Sequence, residues 1–229
     1  MFDVLNDTKL TIYSYRYYCE SKQGDWMSFG DVTYNGSRYR GVRIEEYRPH
    51  STAGLHTENV QERNGYKNKS VYWFKYEPIK WRVLDPEKGL ILSDVIIDAQ
   101  PYSNILKESM YNQYGNFATD YKSSSIREWL HTHFETTAFS SFTEEEFKKI
   151  AKKTVNDNSA AEQSPLPTMD LNGVSTEDYY FLLSYKDATN ENYGFSNNES
   201  RKAVATDYAK CQGLQVYDKN GDTGTYSWI

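Results

Sequence analysis

Apolar positions in this chain gather into short runs separated by polar stretches, and the period within each run sets the element it predicts. From Trp26 the text WMSFGDVTYNGSRYRGVRIEEYRP carries Val/Tyr-rich runs on either side of Asn35-Gly36. That dipeptide tolerates the left-handed backbone of a two-residue turn, so a β-hairpin is predicted. Upstream, Leu10, Ile12 and Tyr15 hint at a short alternating strand. Residues 49–69 are polar without a period and are expected to form a long exposed loop. The most apolar part follows, VYWFKYEPIKWRVLD, then Pro86 to Gly89, then LILSDVIID. It predicts two buried strands joined by a tight turn, and this hairpin is the expected core. Pro78, which has no N–H for a ladder, is expected to mark a bulge or a strand start.

The period then changes. In SSSIREWLHTHF, Ser125 and Glu128 have capping-box spacing, and Ile126, Trp129, Leu130 and Phe134 fall on one helical face. A second helix is predicted from Thr143, with Glu144, Glu145 and Glu146 in its first turn and Lys148, Lys149, Lys152 and Lys153 further on, matching the helix dipole at both ends; Phe147 and Ile150 face inward. Residues 156–177 predict another polar loop and YYFLLS a buried strand. Ser196 and Glu199 repeat the capping-box spacing, so ESRKAVATDYAKCQ is expected to be one helix ending at Gly213. LQVYD returns to strand, and Asn220-Gly221 predicts a last hairpin turn. Strand and helix blocks alternate irregularly and no repeat of fixed period appears, which favours an α+β fold over a doubly wound sheet.

Composition narrows the function classes. The 229 residues include 21 Tyr, 10 Phe and 5 Trp against a mean hydropathy of −0.81, so rings supply much of the core and surplus tyrosines are left for contacts. A net charge of −6 gives no basic field for a phosphate backbone, and nucleic acid is excluded as a partner. No apolar stretch of membrane-spanning length occurs, so no membrane insertion is expected, and the opening residues show no signal-peptide pattern. Cys19 and Cys211 are far apart and lack metal-knuckle spacing; whether they pair is not legible.

Candidate chemistry is sparse. His50 and His56 lie in the first polar loop and His131 and His133 lie two apart, so neither pair has the i, i+4 spacing of two ligands on one helical face. Asp218, Asn220 and Asp222 stand at positions one, three and five of a calcium loop, but Thr223 takes the place of its glycine and Ile229 that of its closing glutamate. No other cofactor is indicated, and Asx residues around a glycine are otherwise an ordinary turn. There is no nucleophile elbow, zinc-protease motif or phosphate loop, and Cys211 on its predicted helix has no histidine nearby in sequence. Tyr102, Tyr111, Asn112, Tyr114 and Tyr121 fall in PYSNILKESMYNQYGNFATDY. Such a loop either stacks on a sugar or protein surface or packs on itself.

The order WMSFG, PIKWRVLD, GLILSDVIIDAQPY, SSIREWL, YYFLLSYKDA, RKAVATDYAKCQGL and SWI resembles an uncharacterised bacterial domain family common in gut Firmicutes, often found on secreted or surface proteins and similar to formylglycine-generating-enzyme-like and C-type-lectin-like folds. The resemblance implies a C-type-lectin-like mixed sheet with flanking helices and long loops, and an extracellular or cell-surface setting. On that template residues 1–25 are an N-terminal extension and 26–229 a single domain lacking its last strands, since the family pattern continues past Trp228. A partner chain would then complete the sheet edge. The expected function is a non-catalytic binding module for a glycan or protein. The alternatives are an enzyme or enzyme remnant related to formylglycine generators, although neither cysteine matches their catalytic context, and a structural domain without ligand.

Overall fold

The computed structural model describes residues 18–19, 26–48, 59–100, 102, 121–135, 142–155, 175–218 and 223–224. In chain order the elements of the first half are β1 (Tyr18–Cys19), β2 (Met27–Tyr34), β3 (Ser37–Ile44), α1 (Val60–Arg63), β4 (Val71–Lys75), β5 (Trp81–Asp85), β6 (Leu90–Ser93) and β7 (Val95–Ile96). The second half adds α2 (Ser125–Glu135), α3 (Glu144–Phe147), β8 (Lys153–Val155), β9 (Thr176–Asp178), α4 (Tyr185–Ala188), β10 (Val204–Ala205), α5 (Asp207–Cys211), β11 (Tyr217–Asp218) and β12 (Thr223–Gly224). The architecture is mixed α/β, with several small sheets and short helices. The chain divides into two compact units, one of residues 1–99 and 202–227, the other of 100–201 with 228–229.

The first unit is organised by an antiparallel sheet of four strands in the order β1-β2-β3-β4. The predicted hairpin is present: Tyr34 pairs with Ser37 around Asn35-Gly36, whose φ angles of 47° and 74° give the left-handed turn that matches strand twist. Because the side-chain period is two, the sheet buries two different sets. Met27, Phe29, Val42 and Ile44 join Cys211 on one face, while Val32, Tyr39 and Trp73 cluster on the other. Each such side chain contributes about 1.5–3 kcal/mol by leaving water. Helix α5 reaches the first set through the fully buried Cys211, with Tyr208 packed against it.

Two short pieces hold α5 in place. Thr206 is its N-cap, accepting from the Ala209 N–H at 3.1 Å while its own backbone N–H donates to the Ile96 carbonyl at 3.0 Å. At the other end the last carbonyls run out of helical N–H partners, and of them Lys210 already accepts from the Gly213 N–H at 3.1 Å. Side chains add Asn64 Nδ2 on Lys210 at 3.0 Å, Gln61 Nε2 on Cys211 at 2.8 Å and Arg48 Nη1 on Gln212 at 2.9 Å. This is why Gln61 is buried, and within the described part, 59–69, it corrects the long exposed loop expected over 49–69: Asn59 caps α1, which turns Val60 and Gln61 inward, while 49–58 lie outside the described residues.

The expected core hairpin is also corrected. β4 belongs to the large sheet, Pro78 lies in the link after it, and β5 pairs only with β6 across the turn at 86–89. A two-stranded hairpin has one covered face, so Leu84 and Leu90 are buried while Val83 and Ile91, cross-strand partners, stay 61% and 46% exposed.

In the second unit α2 begins one residue earlier than the spacing suggested, because Ser124 rather than Ser125 accepts from the Arg127 N–H. Ile126 packs with Tyr121 and Val155, flanked by Trp129, Leu130 and Phe181. The predicted Thr143–Glu146 capping box is formed, but α3 is a single turn. No strand forms over YYFLLS: β9 ends at Asp178, and Ser184 and Asp187 bond reciprocally to open α4. Nor is ESRKAVATDYAKCQ one helix, since Val204 and Ala205 pair with β7 before Thr206 starts α5. The strands on either side of the last predicted turn pair, with Tyr217 opposite Gly224, and Asn220-Gly221 itself lies outside the described residues.

Candidate functional site

Arg127 and His131 stand four residues apart on α2 and therefore share a face. Both meet Asp178, the last residue of β9, whose side chain is 0% exposed. Arg127 Nε lies 3.1 Å from each carboxylate oxygen and Nη2 2.7 Å from Oδ1. His131 Nε2 lies 2.7 Å from Oδ1, and Thr176, two residues back and so on the same side of β9, donates its hydroxyl to Oδ2 at 2.6 Å. Burial pushes the Asp178 carboxyl up, but hydrogen bonds from Arg127, Thr176 and His131 and the Arg127 charge outweigh it and hold the group below its ordinary value. An ionised Asp178 places the His131 proton on Nε2. The Tyr121 phenol is pushed upward by its own burial and then by the Asp178 charge.

A histidine oriented by a buried carboxylate is half of a general-base arrangement. Here the hydroxyl in the cluster, Thr176, donates to the carboxylate instead of the imidazole, and Arg127 already matches the Asp178 charge. The arrangement ties α2 to β9.

A second constellation lies on the large sheet, towards solvent. Asp31 pairs across the strands with Arg40, and Thr33 with Arg38. Arg40 grips Asp31 through Nε at 2.9 Å and Nη2 at 3.3 Å, Arg38 Nη2 reaches it at 2.6 Å, and the Tyr76 hydroxyl donates at 3.0 Å. The Arg38 guanidinium lies 4.3 Å from the centre of the Tyr76 ring, with Arg40 at 5.6 Å. Burial raises Asp31, and the Arg40 hydrogen bond and charge, followed by Arg38 and Tyr76, bring it below the ordinary carboxylate value.

Of the tyrosines singled out in the sequence, Tyr102 is 39% exposed and Tyr121 is a core residue at 6% exposure. Tyr121 therefore has no ring face to offer a ligand. Tyr111, Asn112 and Tyr114 lie outside the described residues, as do Asn220 and Asp222; Asp218 closes β11 opposite Thr223. Among the described residues no group of His, Cys, Asp or Glu is placed to hold a metal ion, and no helix is long and apolar enough to cross a membrane. Cys211 carries a buried thiol, not a disulfide. Sequence reading missed both constellations. The Arg127–His131 spacing was a signal for one, and the Asp31, Arg38 and Arg40 alternation about a hairpin turn was a signal for the other.

These features define a mixed α/β protein with one closed polar cluster inside and one open polar cluster on a sheet. The chain belongs to the family described as a domain of unknown function, DUF6273, whose model matches residues 86–229. The match starts in the β5–β6 turn, so β2, β3 and β4 precede it. No curated protein and no solved structure matches the chain.

Proposed function

We propose that this chain is a non-catalytic binding module of C-type-lectin-like type that recognises a glycan on a secreted or cell-surface protein's behalf. The observation that carries this reading is the contrast between the two constellations. The cluster with catalytic residue types spends the Asp178 oxygens on three side chains of its own unit, whereas the cluster on the sheet leaves a guanidinium in solvent. Surplus aromatic residues support the same reading, since rings and hydroxyls suit sugar contacts. In the same reading Asp218, Asn220 and Asp222 supply the oxygen ligands of a calcium site.

The enzyme alternative needs a reactive group. Cys211, the thiol it would draw on, is fully buried against Met27, Phe29 and Val42. Glycan-array binding of the whole chain tests the proposal, with immobilised-protein capture run in parallel. Binding to a defined set of sugars is expected. Sugar silence with reproducible capture of one protein would transfer the reading to a protein ligand, and rapid alkylation of Cys211 in the native state would revive the enzyme.

A further inference from the structure

We propose that Arg38, held in place by Asp31, Arg40 and Tyr76, binds the carboxylate of an acidic sugar; the inference rests on the reading of the chain as a glycan-binding module. The cluster sets two guanidiniums against one carboxylate and a neutral phenol, so one positive charge is left over. That surplus sits on Arg38. Its side chain is 48% exposed, against 15% for Arg40, and among the described residues only Nη2 of its guanidinium nitrogens donates a hydrogen bond. Nη2 carries a second N–H, and with Nε or Nη1 beside it one fork of the guanidinium remains for a ligand. A planar guanidinium matches a carboxylate with paired donors, which a lysine cannot do.

The group is also oriented before any ligand arrives. Stacking on Tyr76 and the Asp31 bond fix the Arg38 side chain, so part of the ordering cost of binding is already met by the fold. Thr33, exposed and directly across from Arg38, lies on the same face of the sheet and supplies a hydroxyl for a sugar hydroxyl. Charge decides between ligand classes. A chain carrying −6 repels an acidic peptide or a polyanion as it approaches, while a single carboxylate on an otherwise neutral sugar meets mainly the local positive site, since screening limits the rest beyond about 8–10 Å.

The test is calorimetric titration of the full chain with glucuronate- and N-acetylneuraminate-terminated oligosaccharides and their carboxyl-reduced counterparts, on the native protein, Arg38→Gln and Arg38→Lys. The acidic sugars are expected to bind about tenfold more tightly than the reduced ones, with the preference abolished in Arg38→Gln and partly kept in Arg38→Lys. Melting curves of the variants should stay near native, because the ion pair is largely solvent-screened. Equal binding of acidic and reduced sugars, or an acid preference that survives Arg38→Gln, overturns the carboxylate site and leaves the binding module standing. Binding of an acidic peptide alone overturns the sugar assignment, and absence of any sugar binding removes both.

Discussion

Replacing Asp178 with alanine leaves Arg127 and His131 turned towards a carboxylate that is gone. Removing one partner of a buried pair costs about 3–5 kcal/mol, and because Arg127 is 23% and His131 26% exposed, the low end applies, about 3 kcal/mol in a urea titration. The same residue sets an acid limb. Its folded pKa is depressed, so its contribution is fully present above the ordinary carboxylate value near ~3.9 and is lost as pH falls through the lower folded value. Stability measured downward from pH 5 should therefore fall more steeply in the native protein than in Asp178→Asn. In the first hairpin, Gly36→Ala forces a Cβ into a backbone with φ of 74°, where no neighbour lies within 4 Å, so the cost is conformational and about 1–2 kcal/mol. At this scale local sequence was informative where the partner was local. The Asn35-Gly36 turn could be read directly, whereas Asp178 stands 51 residues from Arg127 and 47 from His131, with nothing nearby to announce the contact.

Among the elements, α5 depends most on its ends. It has five residues, too few to be stable alone, and is kept by Thr206 before it and by Arg48, Gln61 and Asn64 beyond it. Thr206→Ala removes the cap from the Ala209 N–H and should cost about 1–2 kcal/mol by thermal melting. Capping signals along the chain were only partly decisive: Thr143 and Glu146 do cap α3, yet Ser196 and Glu199 open no α-helix. The difference is tertiary. Val204 and Ala205 have a strand, β7, to pair with, and that ladder interrupts the run that the spacing would otherwise extend. Similarly, the apolar text YYFLLS is used as irregular backbone that buries Leu183 and leaves Leu182 exposed.

For the molecule as a whole, the sheet of β2, β3 and β4 is the largest continuous ladder among the described residues and buries apolar side chains on both faces. Its amides, sampled at Val32, Val42 and Trp73, should be among the slowest in native-state hydrogen exchange, and those of the two-residue strands β7 and β10 much faster. An exchange pattern with the β5–β6 hairpin slowest would contradict this placement of the core. The chain leaves the first unit at Ala99 and returns at Lys202, and the family match takes in the whole intervening segment.

The sequence by itself determined the pieces whose cause lies within a few residues: the Asn35-Gly36 hairpin, the turn at 86–89, the Thr143 cap, the helix containing Ile126, and a mixture of helix and strand. Period and turn chemistry are local, so they survive in the linear text. Only the tertiary structure decided which runs become core, because burial depends on what covers a face: the apolar β5–β6 hairpin keeps Val83 in solvent, while polar Gln61 is buried to serve the end of α5. The two polar constellations belong to the same class of fact. Spacing marks one side of each, Arg127 with His131 and Asp31 with Arg38 and Arg40, but the remaining partner, Asp178 or Tyr76, stands 51 residues from Arg127 or 45 from Asp31, and only the fold brings it in.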